Sequence, residues 1–210
     1  MERRGKKSIF LYAALLTVLA AGLCVRALYG FCWSDESFYL TFAQRLWNGQ
    51  QLILDEWHPV QFYSAIFYPV LTAYRFFFGT EGIYLFARIL YVVLAWGVSL
   101  LVLFTFRKFT KPLLAFLCAG LVLSYSRGNI WGLSYYNLFL LLTITALCLL
   151  LRGRGRRGLL LLSGLCLGFS VLCVPYFALF VLLAVGLAVT LVTCLILPQE
   201  RIIFGILHFL

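Results

Sequence analysis

Residues 82–108 read GIYLFARILYVVLAWGVSLLVLFTFRK. One charge, Arg88, interrupts the run before it closes on Arg107 and Lys108. A helix rises ~1.5 Å per residue and a bilayer's hydrocarbon core is ~30 Å thick. Positions 82–106 are therefore long enough to cross it as a helix. The basic residues that follow mark a cytoplasmic end.

The rest of the chain agrees with that reading. Hydrophobic residues make up 64% of the 210 and charged residues 11%, which leaves no material for a water-facing surface. In a bilayer every spanning backbone group has to be satisfied within a helix. The expected class is thus an all-α polytopic membrane protein, a single transmembrane domain over 1–210. The net charge of +10 is not a nucleic-acid footprint, because the cations fall in short clusters between apolar runs.

Those clusters set the topology. Arg3, Arg4, Lys6 and Lys7 precede the first apolar run; Arg107, Lys108 and Lys111 form a second group, and Arg152, Arg154, Arg156 and Arg157 a third. With Arg201 they account for 12 of the 17 Lys and Arg residues. The bias predicts a cytoplasmic N-terminus in a plasma-membrane protein. About six spans follow, at about 8–32, 82–106, 112–126, 130–151, 158–174 and 176–197. Ser126-Arg127-Gly128-Asn129 and Pro175 supply the two breaks in runs too long for one crossing. The last run, 202–210, starts a seventh span and stops, which reads as a C-terminal truncation. The seven cysteines lie mostly in apolar runs without CxxC spacing, so they read as packing residues.

The external loop, about 33–80, is expected to hold two interfacial helices. Ser34 is placed to cap a helix beginning at Asp35, with Phe38, Phe42 and Leu46 on one face and Gly49 as the stop. A second, aromatic helix runs from about Gln61 to Phe78. Counting it as a span would put the later basic clusters on the wrong side.

Five of the seven acids, Asp35, Glu36, Asp55, Glu56 and Glu81, fall on this side. Glu81, beside Gly82, reads as a helix-start charge. Two adjacent carboxylates exceed what a cap needs, which singles out Asp35 and Glu36. Asp55, Glu56 and His58 could take a divalent cation or activate a hydroxyl, although a loop histidine is more often just a polar residue. No other cofactor is expected.

Asp35-Glu36-Ser37-Phe38-Tyr39, then Ala43, Gly49, Glu56-x-x-Pro59, the aromatic helix ending at Gly79 and Arg88 together resemble the first part of GT-C fold membrane glycosyltransferases. The similarity is to the protein O-mannosyltransferase and aminoarabinose lipid A transferase branch. Residues 162–172, followed by Pro175, resemble that branch's Gly-rich fifth helix. Val174 stands where the branch often has Lys, and Tyr135-Tyr136-Asn137 where it often has an acid. The resemblance implies a glycosyltransferase moving a sugar from a polyprenyl-phosphate donor to an acceptor hydroxyl at the extracytoplasmic face. Asp35 would then be the general base with Glu36 assisting, and Glu56, Arg88, Arg127 and Asn137 would hold substrate. An intramembrane arginine also needs a partner of its own, so Arg88 reads equally as a structural ion-pair residue. The alternatives are an inactive GT-C fragment with an assembly role and a small transporter component. The near absence of polar groups within the spans speaks against transport.

Overall fold

The computed structural model describes residues 2–30, 35–55, 57–127, 131–153 and 155–196. The chain divides into two compact units, Met1–Val174 and Pro175–Leu210. Among the described residues there are eight helices and no strand. The first unit holds α1 (Glu2–Arg26), α2 (Glu36–Trp47), α3 (Tyr63–Phe78), α4 (Ile83–Phe106), α5 (Pro112–Leu123), α6 (Tyr135–Arg152) and α7 (Arg157–Cys173). In the second unit α8 (Phe177–Ile196) is apolar along its described length. The backbone amide of Ala178 bonds the Pro175 carbonyl at 3.0 Å.

The run that decided the fold is one unbroken helix, α4, at the centre of the first unit. It packs against α1, α5 and α6. Its buried face is Ala87, Tyr91, Ala95, Ser99 and Val102, spaced three or four residues apart as one side of a helix requires. Small residues on that face let neighbouring backbones approach closely, and α5 answers with Ala115 and Ala119. The Ser99 hydroxyl is satisfied within its own helix by the Ala95 carbonyl, 2.7 Å away. The outward faces carry Leu117, Leu121, Leu147 and Leu161, all exposed, which suits a lipid surround.

Cross-helix contacts fix which ends lie together. Tyr12 of α1 stacks on Phe116 of α5 at 4.8 Å, and Trp96 of α4 donates to Thr17 of α1 at 3.2 Å. Cys148 of α6 lies beside Thr105 of α4, where the two helices pack. Ser163 of α7 donates to the Ala146 carbonyl of α6 at 2.7 Å. The start of α1, the α4–α5 turn and the α6–α7 turn therefore share one end of the bundle. Here α2, α3 and the α5–α6 connection occupy the other.

Three helical segments are long and apolar enough to cross a membrane: Ser8–Arg26, Ile83–Phe106 and Tyr135–Arg152. The expected six full spans are not established. At ~1.5 Å per residue, the 12 residues of α5 rise only ~18 Å and the 17 of α7 only ~25 Å. The connection after Leu123 is also longer than the sequence suggested. It takes residues assigned to the ends of the 112–126 and 130–151 spans. At α2 the helix starts one residue later than expected, with Asp35 at the N-cap and no side-chain cap bond. Its far end follows the sequence, with Gly49 in the left-handed region (φ 82). Ser34, Glu56, Arg154 and 197–210 lie outside the described residues.

Candidate functional site

The end of the bundle that carries α2 and α3 is organised around a buried ion pair. Arg88, one and a half turns into α4, reaches Glu36 in the first turn of α2. Nη2 donates to Glu36 Oε2 at 2.6 Å and Nε donates to Oε1, a bidentate arrangement. Nη1 donates to the Ala27 carbonyl just past α1, at 2.9 Å. The side chains are 12% and 7% exposed. One guanidinium thus ties together three segments far apart in sequence. Its planar fork matches a carboxylate and a carbonyl at once, which a lysine could not do.

Beside this pair lies an aromatic cluster. Tyr39 and Phe42 of α2, Tyr63 of α3 and Tyr135 of α6 meet edge to face with ring centres 5.6–6.2 Å apart. Such contacts add ~0.5–1.5 kcal/mol each beyond area burial. Tyr63 donates to the Tyr39 carbonyl. Burial, then the neighbouring Tyr39, Cys173 and Tyr135, hold its phenol well above the ordinary tyrosine range. Tyr63 therefore stays a neutral donor and does not supply a base. His58 sits at the cluster's edge, half-buried, 5.4 Å from Phe38 and 5.9 Å from Phe42. Its Nδ1 is 3.4 Å from the Val60 amide, at the long limit of a hydrogen bond, so that nitrogen is only weakly held.

The α5–α6 connection completes this end. Asn137 is fully buried and pins it, donating to the Gly132 carbonyl at 2.9 Å while Oδ1 accepts from the Arg127 amide at 3.5 Å. Ser134 caps α6 by accepting from the Asn137 amide at 3.1 Å. Arg26 lies 4.9 Å over Trp131 and Arg127 3.2 Å over Tyr136. Asn137→Leu should cost about 1–3 kcal/mol, because the Gly132 carbonyl keeps only the Ser134 amide and the Arg127 amide loses its acceptor. Chemical unfolding in micelles would check this, with a Ser134→Ala cap loss of about 1 kcal/mol as reference.

The residues singled out in sequence are thus placed unevenly. Glu36 and Arg88 come together. Asp35, next to Glu36, is exposed. Asp55 Oδ2 accepts from the Gln51 amide at 2.7 Å and closes its own loop. Arg127 is exposed and Asn137 is structural at this position, while Glu56 is not among the described residues. No group of three or more His, Cys, Asp or Glu side chains suited to a metal occurs among the described residues. A recess lined by Glu36, Tyr39, Leu40, Ala87, Gly132 and Leu133 encloses about 220 Å³, its open side included. Most of that is open solvent, and the enclosed part has room for about one water molecule, not for a substrate.

Tyr39, Phe42, Tyr63 and Tyr135 are not legible in the sequence as a cluster. Their only sequence signal was aromatic enrichment spread over about a hundred residues.

Comparison with known proteins gives a family match over the last part of the chain. Residues 160–210 match the family model described as "Heparan-alpha-glucosaminide N-acetyltransferase, catalytic". No curated protein and no solved structure matches the chain. The matched stretch runs from the first turn of α7 through α8 and onward. It corrects the GT-C assignment, since this acetyltransferase family is not a GT-C glycosyltransferase family. Residues 162–172, which supported the resemblance to a Gly-rich fifth helix, fall inside the match. Glycosyl transfer from a polyprenyl-phosphate sugar falls with that assignment. Neither the inactive-fragment version nor the transporter reading gains support.

Proposed function

We propose that this chain is a membrane-embedded transferase that moves an acetyl group from an activated donor to an amine. The match of its last quarter to an acetyltransferase catalytic model carries the reading. In this reading the six apolar helices cross the plasma membrane with the N-terminus cytoplasmic. The helices α2 and α3 lie at the opposite interface, with the bilayer as the constant partner.

The chemistry asks for little machinery. The amine nitrogen attacks the acetyl carbonyl carbon and forms the amide bond. The bond between acetyl and donor breaks, and the leaving group takes its electron pair. The ammonium proton passes to a base and then to the leaving group. Among the described residues His58 is the sole imidazole, the side-chain type that exchanges protons near neutral pH. Glu36 is already committed to Arg88 and serves as an anchor.

The purified chain in liposomes, given an acetyl thioester labelled in the acetyl group and a glucosaminide acceptor, should form labelled amide. An acceptor already N-acetylated should take up none. Absence of amide with free amine acceptors would overturn the proposal.

A further inference from the structure

At the end of the bundle opposite the Glu36–Arg88 pair, three basic clusters far apart in sequence are brought together. Arg107, Lys108 and Lys111 sit in the α4–α5 turn, and Arg152, Arg156 and Arg157 flank the α6–α7 turn. The first turns of α1, with Arg3, Arg4, Lys6 and Lys7 in sequence, join them through the Tyr12–Phe116 stack. The packing of α4 on α6 near their C-terminal ends, with Thr105 beside Cys148, places the two turns at one end. Acids hardly oppose this charge. From Gly82 to Gln199 the sequence contains no Asp or Glu, and Glu2 is the one acid among the first seven residues.

The cations are also not distributed as helix electrostatics would prefer. Arg107 and Arg152 stand at helix C-termini, where a positive charge is favourable. Lys111, Arg156 and Arg157 stand at the beginnings of α5 and α7, with no acid in either first turn. Exposed cations at helix starts, with no acid to offset them, favour an anion from outside the chain. Apolar groups interleave with the cations: Phe109 is 62% exposed between Lys108 and Lys111, and Leu161 is 69% exposed one turn after Arg157. Cations alternating with exposed apolar groups match the boundary between headgroups and acyl chains, not a water-soluble anion.

We propose that this basic end is a docking surface for the anionic phospholipid headgroups of one leaflet. The inference stands apart from the acetyl-transfer reading, since it uses neither the matched segment's chemistry nor His58.

The test compares thermal unfolding of the full chain in micelles containing phosphatidylglycerol or phosphatidylcholine. Phosphatidylglycerol should raise Tm by roughly 3–6 °C, and 1 M salt should erase the gain. The triple variant Lys111→Gln, Arg156→Gln, Arg157→Gln should lose most of the gain. The charge-conserving Lys111→Arg, Arg156→Lys, Arg157→Lys should keep it. Neutralising Arg26, Arg75 and Arg127 at the other end should leave it intact. Equal stabilisation by the two lipids overturns the proposal, as does equal loss in the two neutralised triples. The same gain from inorganic phosphate in phosphatidylcholine would assign the surface to a soluble anion and also overturn it.

Discussion

Glu36→Ala should destabilise the first unit by about 3–5 kcal/mol, because it leaves the Arg88 guanidinium buried without its carboxylate. Arg88→Ala should cost a similar amount, since Glu36 is then buried alone and the Ala27 carbonyl loses a donor. The informative variant is the double replacement, Glu36→Leu with Arg88→Met. Apolar side chains of similar volume remove both charges at once and escape most of the desolvation cost. The double variant should therefore unfold closer to wild type than either single variant does. Equilibrium unfolding of Glu36→Leu, Arg88→Met and their combination in mixed micelles, read as a double-mutant cycle, measures the coupling. Strictly additive losses would mean that the pair contributes nothing as a pair.

His58→Gln should lower acetyl transfer by about 100-fold or more if the imidazole takes the proton from the acceptor amine. Glutamine keeps much of the volume and a hydrogen-bonding terminus, so the contacts with Phe38 and Phe42 should be largely retained. Two readouts separate chemistry from packing. The unfolding midpoint should move little. The residual rate should rise as pH is raised, because free amine replaces ammonium without help from the protein. A variant with unchanged kcat/KM would remove His58 from the reaction and leave the transferase reading to stand on the acetyl-incorporation assay.

Much of the helical order was legible because it depends on local patterns. The 82–106 run, Gly49, Gly79 and Pro175 act within a turn of their own position, and all mark real boundaries within a few residues. The α5–α6 connection was underestimated. Leu133 and Trp131 look like span residues by hydropathy, yet they belong to a connection held by Asn137 and Ser134. Polar side chains inside an apolar stretch can end a helix by bonding its backbone, and hydropathy does not register this. In the site, Arg88 announced that it needed a partner, but Asp35 and Glu36 were equally acidic. Only the helical phase of α2 decides between them: it turns Glu36 inward and leaves Asp35 exposed. The aromatic cluster draws on α2, α3 and α6, so no window of sequence contains it.

The Arg88 tie also bears on the order of assembly. Glu36 is synthesised some fifty residues before Arg88, so its carboxylate precedes α4. An arginine in a membrane helix raises the cost of insertion by as much as ~2.5–3.5 kcal/mol at the bilayer centre, and less near the helix end. Here the position is near the end of the span, and a carboxylate already stands there to receive it. The first helix, whose exit carbonyl at Ala27 takes the remaining guanidinium bond, is also synthesised before α4. Insertion of α4 is thereby linked to the prior placement of both α1 and α2. A change at Glu36 should accordingly show itself in the newborn chain, as inefficient membrane integration of the 83–106 segment, before any folded protein exists to be measured.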